Sequence, residues 1–419
     1  MKKRIFISIL CSVLTVSGIM GSAISCSAAE TETDASFPTV TGNDMVTANT
    51  YIGPDGQVLD SLSFESSNDA LTDADVAITF RFAPVDYLGE TESRYEDAVI
   101  ESVEASDGMV TVNVSDVPYA TLEDVTVSCT DEALNCGLGD FKVSTRTVDE
   151  FVQDTFTAQD GTELSYYLYM PESDSALPLM VWEHGGGEVL ASAAPGANLR
   201  ASRGAVAWIE NGFETAVLSV QYPENYSFGI SEIPEELAQM EAFGTAKFEL
   251  IQKLIEDGKV DASRVYISGA SSGAGAALRM IIQYPDLFAA ALVVSAKDTI
   301  VPISQKYDLA YKFGDNSLLE ISDEDYQDVY AAMEEALDGV DISSTPIWFV
   351  QALHDQICTS YTSSIMFDIL EKKGAESNKL TLYTDEEMEA AGQHGAYHGS
   401  WAVALEDMDM LNWVYEQSR

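Results

Sequence analysis

A strand, a glycine-serine turn and a helix follow one another directly at residues 264–283, and this succession restricts the fold more than any other stretch. The run RVYIS (264–268) is β-branched and aromatic, as in a buried strand. GASSG (269–273) follows at once, and the Ala-rich segment after it is typical of a helix packed on a sheet. A strand that turns into a helix around G-x-S-x-G is the context of a nucleophile elbow.

The elbow predicts a role for each residue of the turn. The flanking positions have almost no room for a Cβ atom, which explains glycine at 269 and 273. Ser271 is then held with its Oγ above the sheet as a nucleophile. The main-chain N–H of Ser272, at the start of the helix, points to where an oxyanion would form. The alternative is a Gly-rich turn without chemistry.

The chain from about residue 51 to residue 150 is predicted to consist of strands. Period-two alternation and intervening turn residues mark strands at 75–82, 109–117, 124–129 and 141–148. Strands at this spacing over residues 51–150 indicate an immunoglobulin-like β-sandwich. Residues 30–50 are rich in Thr, Ser and Asp, so we expect a flexible lead-in there.

Residues 151–419 alternate between strands and helices instead. A hairpin at 156–172 is followed by apolar strands at 177–188, 214–223, 264–268, 288–296, 346–355 and 379–385, with helices at 234–257 and 361–374. This alternation predicts a doubly wound, mostly parallel α/β sheet. An insertion near 297–344 is expected to act as a cap. Its aromatic residues line a substrate pocket or form the apolar face of cap helices: Tyr307, Tyr311, Phe313, Tyr326 and Tyr330.

Residues 1–29 have the pattern of a secretory signal peptide. Basic residues at 2–4 precede an apolar run, and small residues precede Glu30. Cys26 is an alternative lipidation site, although the preceding residues fit a lipobox poorly. No later segment is apolar enough to span a bilayer, so we expect an exported protein without an integral membrane segment.

The chain is strongly acidic, with a formal charge of −48. Lys2, Lys3 and Arg4 are the charged residues of the predicted signal peptide, and their removal brings the charge to −51. Such a surface repels nucleic acid and anionic membranes, which excludes both as partners. No acidic cluster has the spacing of a calcium loop, so no metal is expected. Cys358 is interpreted as a small buried hydrophobe.

Activating a serine requires a base, an acid and a site for negative charge. His184 opens an HGGG segment of the oxyanion type, which makes Gly186 the expected second donor, with Gly187 the next candidate. Two histidines, His394 and His398, follow the last strand and remain as candidate bases. Asp355 ends a strand, and the order Ser, Asp, His is that of α/β-hydrolases. Asp385 also ends a strand but lies close to the histidine segment in sequence.

Residues 151–417 resemble secreted α/β-hydrolases of the PHB-depolymerase-like esterase and prolyl-oligopeptidase-like families, some of which carry an N-terminal immunoglobulin-like domain. The resemblance is carried by HGGGE, DASRVYISGASSGAGAA, YPDLFAAALVVSA and YHGSW. It implies that His398, in the H-x-S-W element, is the catalytic base. It also implies that Asp355 is the acid, although Gln351 and Ala352 replace the His and Gly of the H-G-x-x-D pattern.

Together these features predict a secreted serine carboxylic-ester hydrolase that works through an acyl-enzyme and needs no cofactor. One alternative is a prolyl-oligopeptidase-like serine peptidase, although such peptidases usually cover the site with a propeller or helical domain. Another is a catalytically silent surface protein that binds carbohydrate or cell wall. Polyesters, short-chain synthetic esters, feruloyl esters and acetylated polysaccharides are all compatible with these residues as substrates.

Overall fold

The computed structural model describes residues 46–66, 70–84, 92–129, 141–224 and 234–419. These residues form two compact units, one of residues 46–146 and one of residues 147–191 and 195–419. The division lies four residues before the boundary expected from the sequence. The predicted signal peptide, Cys26 and most of the predicted lead-in lie outside the described residues.

The first unit is all β within its described part. Its strands are β1 (Val46–Gly53), β2 (Gly56–Glu65), β3 (Val76–Phe82), β4 (Arg94–Asp97), β5 (Ile100–Ser106), β6 (Met109–Pro118), β7 (Leu122–Cys129) and β8 (Phe141–Thr145). They form a five-stranded sheet in the order β5-β6-β2-β1-β8 and a three-stranded sheet in the order β4-β3-β7. The two sheets share one core, because alternate residues of their strands are buried in a single hydrophobic cluster.

Strand β1 corrects one expectation. It begins at Val46, inside the segment 30–50 that was predicted to be a flexible lead-in. Its alternate residues are buried from Val46 onward, and it pairs with both β2 and β8. Threonine is common in flexible polar segments, but its β-branched side chain also suits a pleated strand. The composition of residues 30–50 therefore predicts flexibility, whereas pairing with β2 and β8 makes the chain from Val46 onward a strand.

The second unit is built on an eight-stranded sheet. Its strands are β9 (Val152–Thr157), β10 (Glu163–Tyr169), β11 (Leu177–Glu183), β12 (Ala216–Gln221), β13 (Val260–Ala270), β14 (Ala290–Val294), β15 (Ile347–Ala352) and β16 (Lys379–Tyr383). Their spatial order is β16-β15-β14-β13-β11-β12-β10-β9. Every neighbouring pair from β12 to β16 is parallel, and β10 is antiparallel to its neighbours. The predicted mostly parallel α/β sheet is confirmed.

Helices cover the central strands. They are α1 (Ala197–Arg200), α2 (Ala207–Glu210), α3 (Pro234–Glu256), α4 (Ser272–Gln283), α5 (Ile303–Lys306), α6 (Asp323–Ala336), α7 (Tyr361–Lys372), α8 (Asp385–Ala390), α9 (Trp401–Ala404) and α10 (Met408–Tyr415). All residues of β11, β12 and β14 are buried, as expected for strands with both faces covered. Among the described residues, no helix has the length and apolar character needed to cross a bilayer.

The insertion at 297–344 is only partly a separate segment above the sheet. Val329, Met333 and Leu337 recur at helical spacing along and just after α6 and are buried in the main core of the unit. Helix α6 therefore packs one face against the main core of the unit. Tyr307, Tyr326 and Tyr330 pack against the same core, whereas Tyr311 and Phe313 are exposed.

Candidate active site

The turn between β13 and α4 has the geometry that its sequence predicts. Ser271 adopts φ 56° and ψ −121°, a conformation that non-glycine residues rarely take. A Cβ atom on Gly269 would lie 2.5 Å from the carbonyl oxygen of Gly273. One on Gly273 would lie 2.0 Å from the carbonyl oxygen of Glu183, at the end of β11. Both glycines are therefore required by close main-chain contacts, and they hold Ser271 in a strained position.

Ser271, His398 and Asp355 form a hydrogen-bonded chain. The His398 Nε2 atom lies 2.9 Å from Ser271 Oγ, and its Nδ1 atom lies 2.8 Å and 3.0 Å from the Asp355 carboxylate oxygens. His398 is 1% exposed and Asp355 is 2% exposed. Since Nδ1–H donates to the carboxylate, Nε2 is free to accept the serine proton.

The Asp355 carboxylate is held by its own loop. It accepts hydrogen bonds from the amides of Ile357 at 2.9 Å and Cys358 at 3.0 Å. The Gln351 side-chain amide donates to the carbonyls of Cys358 at 2.6 Å and Thr359 at 3.2 Å. Gln351, which departs from the family pattern, thus stabilises the loop that carries the carboxylate.

The imidazole of His398 is also constrained. The ring of Trp401 contacts it edge to face, with centroids 5.0 Å apart and planes at 89°. The hydroxyl of Ser295 donates to the His398 carbonyl at 2.8 Å. These contacts fix the ring orientation that the hydrogen bond to Ser271 requires.

The other candidate residues lie elsewhere. His394 is exposed, and the structure does not place it in the hydrogen-bonded chain of Ser271. Asp385 pairs with His354 instead, with a distance of 2.8 Å from its Oδ1 to His354 Nδ1. The order of residues along the chain left the acid and the base open, because Asp355 and Asp385 both follow the elbow and both precede His394 and His398.

Two main-chain amides lie at the starts of helical segments beside the serine. Ser272 is the first residue of α4, and Gly186 is the first residue of a short 3-10 turn, Gly186–Glu188. Within the described part of the chain, neither amide donates a hydrogen bond to a protein acceptor. Amides left available at helix starts suit an anionic oxygen.

His184 supports the glycine segment. Its Nδ1 contacts the carbonyl of Gly185 at 2.7 Å, and its Nε2 accepts from the amide of Tyr222 at 3.2 Å. Its ring lies 5.2 Å from that of Tyr222. Both ring nitrogens are engaged within the protein, so His184 has a bracing role in the fold.

A buried charged network next to this segment was not predicted from the sequence. Glu183, which precedes His184, is completely buried and pairs with Lys247 of α3. The Tyr222 hydroxyl donates to Glu183 at 2.7 Å and contacts Lys247 Nζ at 2.5 Å. Burial lowers the pKa of Lys247, and the attraction of Glu183 opposes this effect. A lysine within the apolar run AFGTAKFELI was the available signal.

Cys358 is buried near the serine but is not disposed to act as a nucleophile. Burial, and then the negative charge of Asp355, raise the pKa of the Cys358 thiol well above its ordinary value. The thiol therefore stays protonated at neutral pH, in agreement with its interpretation as a small buried side chain. Among the described residues, no cluster of three or more His, Cys, Asp and Glu side chains is placed to hold a metal ion.

Residues 247–418, which include the serine, aspartate and histidine above, match the model of the prolyl oligopeptidase family. A solved thermostable esterase is similar with a TM-score of 0.65 and 22% identity, over 90% of this chain and 100% of that one. A puromycin-hydrolyzing peptidase of Mycobacterium tuberculosis has a TM-score of 0.42 and 16% identity, over 70% of this chain and 44% of that one. A Rhizomucor miehei esterase has a TM-score of 0.38 and 13% identity, over 64% of this chain and 85% of that one. No curated protein matches the sequence.

The family match and the sheet order define the class of the second unit. It has the α/β-hydrolase fold, and the match to the prolyl oligopeptidase family supports a serine hydrolase. Neither comparison separates ester hydrolysis from peptide hydrolysis.

The close contact at Gly273 predicts a selective effect of one methyl group. Gly273→Ala should lower the free energy of unfolding by about 3 kcal/mol or more, because both main chains must move. Gly212→Ala is the control, since its added Cβ meets no atom within 4 Å although φ is 83°. It should cost roughly 1–2 kcal/mol. Urea unfolding measures both, and equal losses would contradict the steric argument.

The buried pair predicts a second effect on stability. Lys247→Met leaves the Glu183 carboxylate buried without its cation, so it should cost about 3–5 kcal/mol. The double variant Glu183→Gln with Lys247→Met should recover much of that loss, because no buried charge is left unpaired. Denaturant unfolding of the two single variants and the double variant forms the cycle. Additive losses would show that the pair is not coupled.

Proposed function

We propose that this chain is a secreted serine carboxylic-ester hydrolase that uses Ser271, His398 and Asp355 as its catalytic triad. The observation that carries the proposal is the buried hydrogen-bonded chain from Ser271 Oγ through His398 to Asp355. Its order along the chain, and the elbow that presents the serine, are those of α/β-hydrolases.

In the first half-reaction, Ser271 Oγ attacks the ester carbonyl carbon and His398 Nε2 takes the serine proton. The new oxyanion accepts hydrogen bonds from the amides of Ser272 and Gly186, and removal of one such donor typically costs about 10²–10³ in rate. Asp355 stabilises the imidazolium, which then protonates the leaving alcohol as the C–O bond breaks. The product is an acyl-enzyme on Ser271.

Water completes the reaction. His398 accepts a proton from water as the water oxygen attacks the acyl carbon, and a second tetrahedral intermediate forms at the same donors. Collapse of this intermediate returns the proton to Ser271 and releases the carboxylic acid. The proposed cycle uses only side chains and amides of this chain and no cofactor.

Ester hydrolysis is favoured over peptide hydrolysis by the domain organisation. The thermostable esterase resembles this chain over its whole length, including the first unit. The described part of the first unit consists of two small sheets rather than the propeller or helical domain that such peptidases usually carry. The match to the prolyl oligopeptidase family is the observation that favours a peptidase as the second candidate.

The remaining proposals concern the first part of the chain. Residues 1–29 are proposed to direct export and then be removed, with attachment through Cys26 as the alternative. The first unit is proposed to be immunoglobulin-like and to bind carbohydrate or cell wall. The net charge of −48 would repel nucleic acid, so nucleic acid is not proposed as a partner.

Substitution of the nucleophile tests the proposal. Ser271→Ala should lower kcat for p-nitrophenyl acetate and butyrate by at least about 10⁴-fold, because no acyl-enzyme forms. Ser272→Ala is the control, since alanine retains the main-chain amide, and it should keep most of the turnover. If the wild type and Ser271→Ala are equally inactive, proline-containing peptides test the second candidate. Inactivity on both substrates would contradict a hydrolase.

Substitution of the acid tests the triad separately. Asp355→Asn should lower kcat by roughly 10⁴-fold, because an amide at this position favours the wrong imidazole tautomer. The matched control is Asp385→Asn, which removes the carboxylate paired with His354. Steady-state kinetics on p-nitrophenyl acetate compare the two. A larger loss for Asp385→Asn would reassign the acid.

A further inference from the structure

The insertion exposes apolar side chains beside the loops of the candidate triad. Tyr311 is 40% exposed and Phe313 is 60% exposed, and their ring centroids lie 6.2 Å apart with planes at 59°. Leu318 of the same segment and Leu353, two residues before Asp355, are also exposed. Grouped exposed apolar side chains on a soluble protein mark a contact surface.

Main-chain hydrogen bonds attach Tyr311 to the triad loops. The Tyr311 amide donates to the carbonyl of Gln356 at 2.5 Å, and the Gln356 amide donates to the carbonyl of Ala396 at 2.8 Å. Gln356 follows Asp355 directly, and Ala396 precedes His398 by two residues. Tyr311 is therefore tied to the loop of the acid and, through it, to the loop of the base.

Asn316 attaches the other end of the segment. Its side-chain oxygen accepts from Gln356 Nε2 at 3.0 Å, and its amide donates to the Asp385 carboxylate at 2.6 Å. That carboxylate also contacts His354, the neighbour of Leu353. These bonds attach the segment of Leu318 and the loop of Leu353 to the hydrogen-bonded network that also holds Tyr311.

Tyr311 is held in an uncommon conformation that directs its side chain. Its φ of 58° is unfavourable for a bulky residue and persists only where the surroundings enforce it. Burial of the hydroxyl, and then the nearby Cys358 thiol, raise the pKa of Tyr311. Part of the Tyr311 ring nevertheless stays exposed.

We propose that Tyr311 and Phe313, flanked by Leu318 and Leu353, form a platform that binds an uncharged aromatic group of the ester substrate. This inference rests on the proposed esterase function and names the substrate class of the same site. Aromatic rings gain contact energy from one another beyond the area that they bury. The adjoining carboxylates of Asp308 and Asp315 disfavour an anionic group, and Lys312 is paired with Asp308.

The test compares the hydrolysis of two esters without an aromatic leaving group, methyl 3-phenylpropanoate and methyl butanoate. Hydrolysis of each ester is measured by pH-stat titration. In Phe313→Ala, the ratio of kcat/KM for the aromatic ester to that for the alkyl ester should fall about tenfold, mainly through KM. Tyr311→Asn should act in the same direction, because asparagine tolerates positive φ while the ring is lost. Tyr95→Ala, which removes a 67% exposed ring from the first unit, is the control.

A binding measurement separates this inference from the proposed function. Calorimetric titration of Ser271→Ala with methyl 3-phenylpropanoate should show binding that weakens about tenfold when Phe313→Ala is added. If wild type hydrolyses both esters with a ratio that Phe313→Ala leaves unchanged, the platform is overturned and the esterase stands. Binding that depends on Phe313 without any hydrolysis supports the platform and overturns the esterase. If neither hydrolysis nor binding is observed, both proposals are overturned. If Tyr95→Ala lowers the ratio of kcat/KM values as much as Phe313→Ala does, the platform is overturned.

Discussion

The close approach of two main chains, at Gly273 and Glu183, is the contact on which the rest of the site depends. It brings the end of β11 against the first turn of α4, so the glycine segment that follows Glu183 lies beside the serine. Glu183 has its carboxylate buried in the same region, and Lys247 and Tyr222 neutralise and hydrogen-bond it. A steric requirement and an electrostatic one thus hold the same strand end in place.

The parallel sheet explains why separate pieces of sequence meet there. The carboxyl ends of β11, β13 and β15 lie at one edge, and each is followed by a loop that carries part of the site. Strands buried on both faces have little freedom to shift, which makes their ends stable supports. Gln351, which departs from the family pattern, acts within this frame, since it holds the loop of Asp355 from the end of β15.

Much of the sheet and the elbow could be predicted, because both are expressed as local patterns. The apolar strands, helix α3 and the two elbow glycines follow from periodicity and from the volume of a Cβ atom. The start of β1 was not predicted correctly, and the packing of α6 on the main core was not predicted. Strand pairing decides the first and burial of one helix face decides the second, and both are contacts between residues distant in sequence.

By itself, the sequence determined the fold class, the serine in its turn and the order of the candidate acid and base, because these depend on neighbours in the chain. Only the tertiary structure decided that His398 pairs with Asp355 while Asp385 pairs with His354. It also decided that Tyr311 and Phe313 are exposed while the other tyrosines of the insertion pack on the core. The reason is physical: hydrogen bonds and burial depend on distances in space, and the loops that carry these histidines and aspartates differ in where the sheet places them.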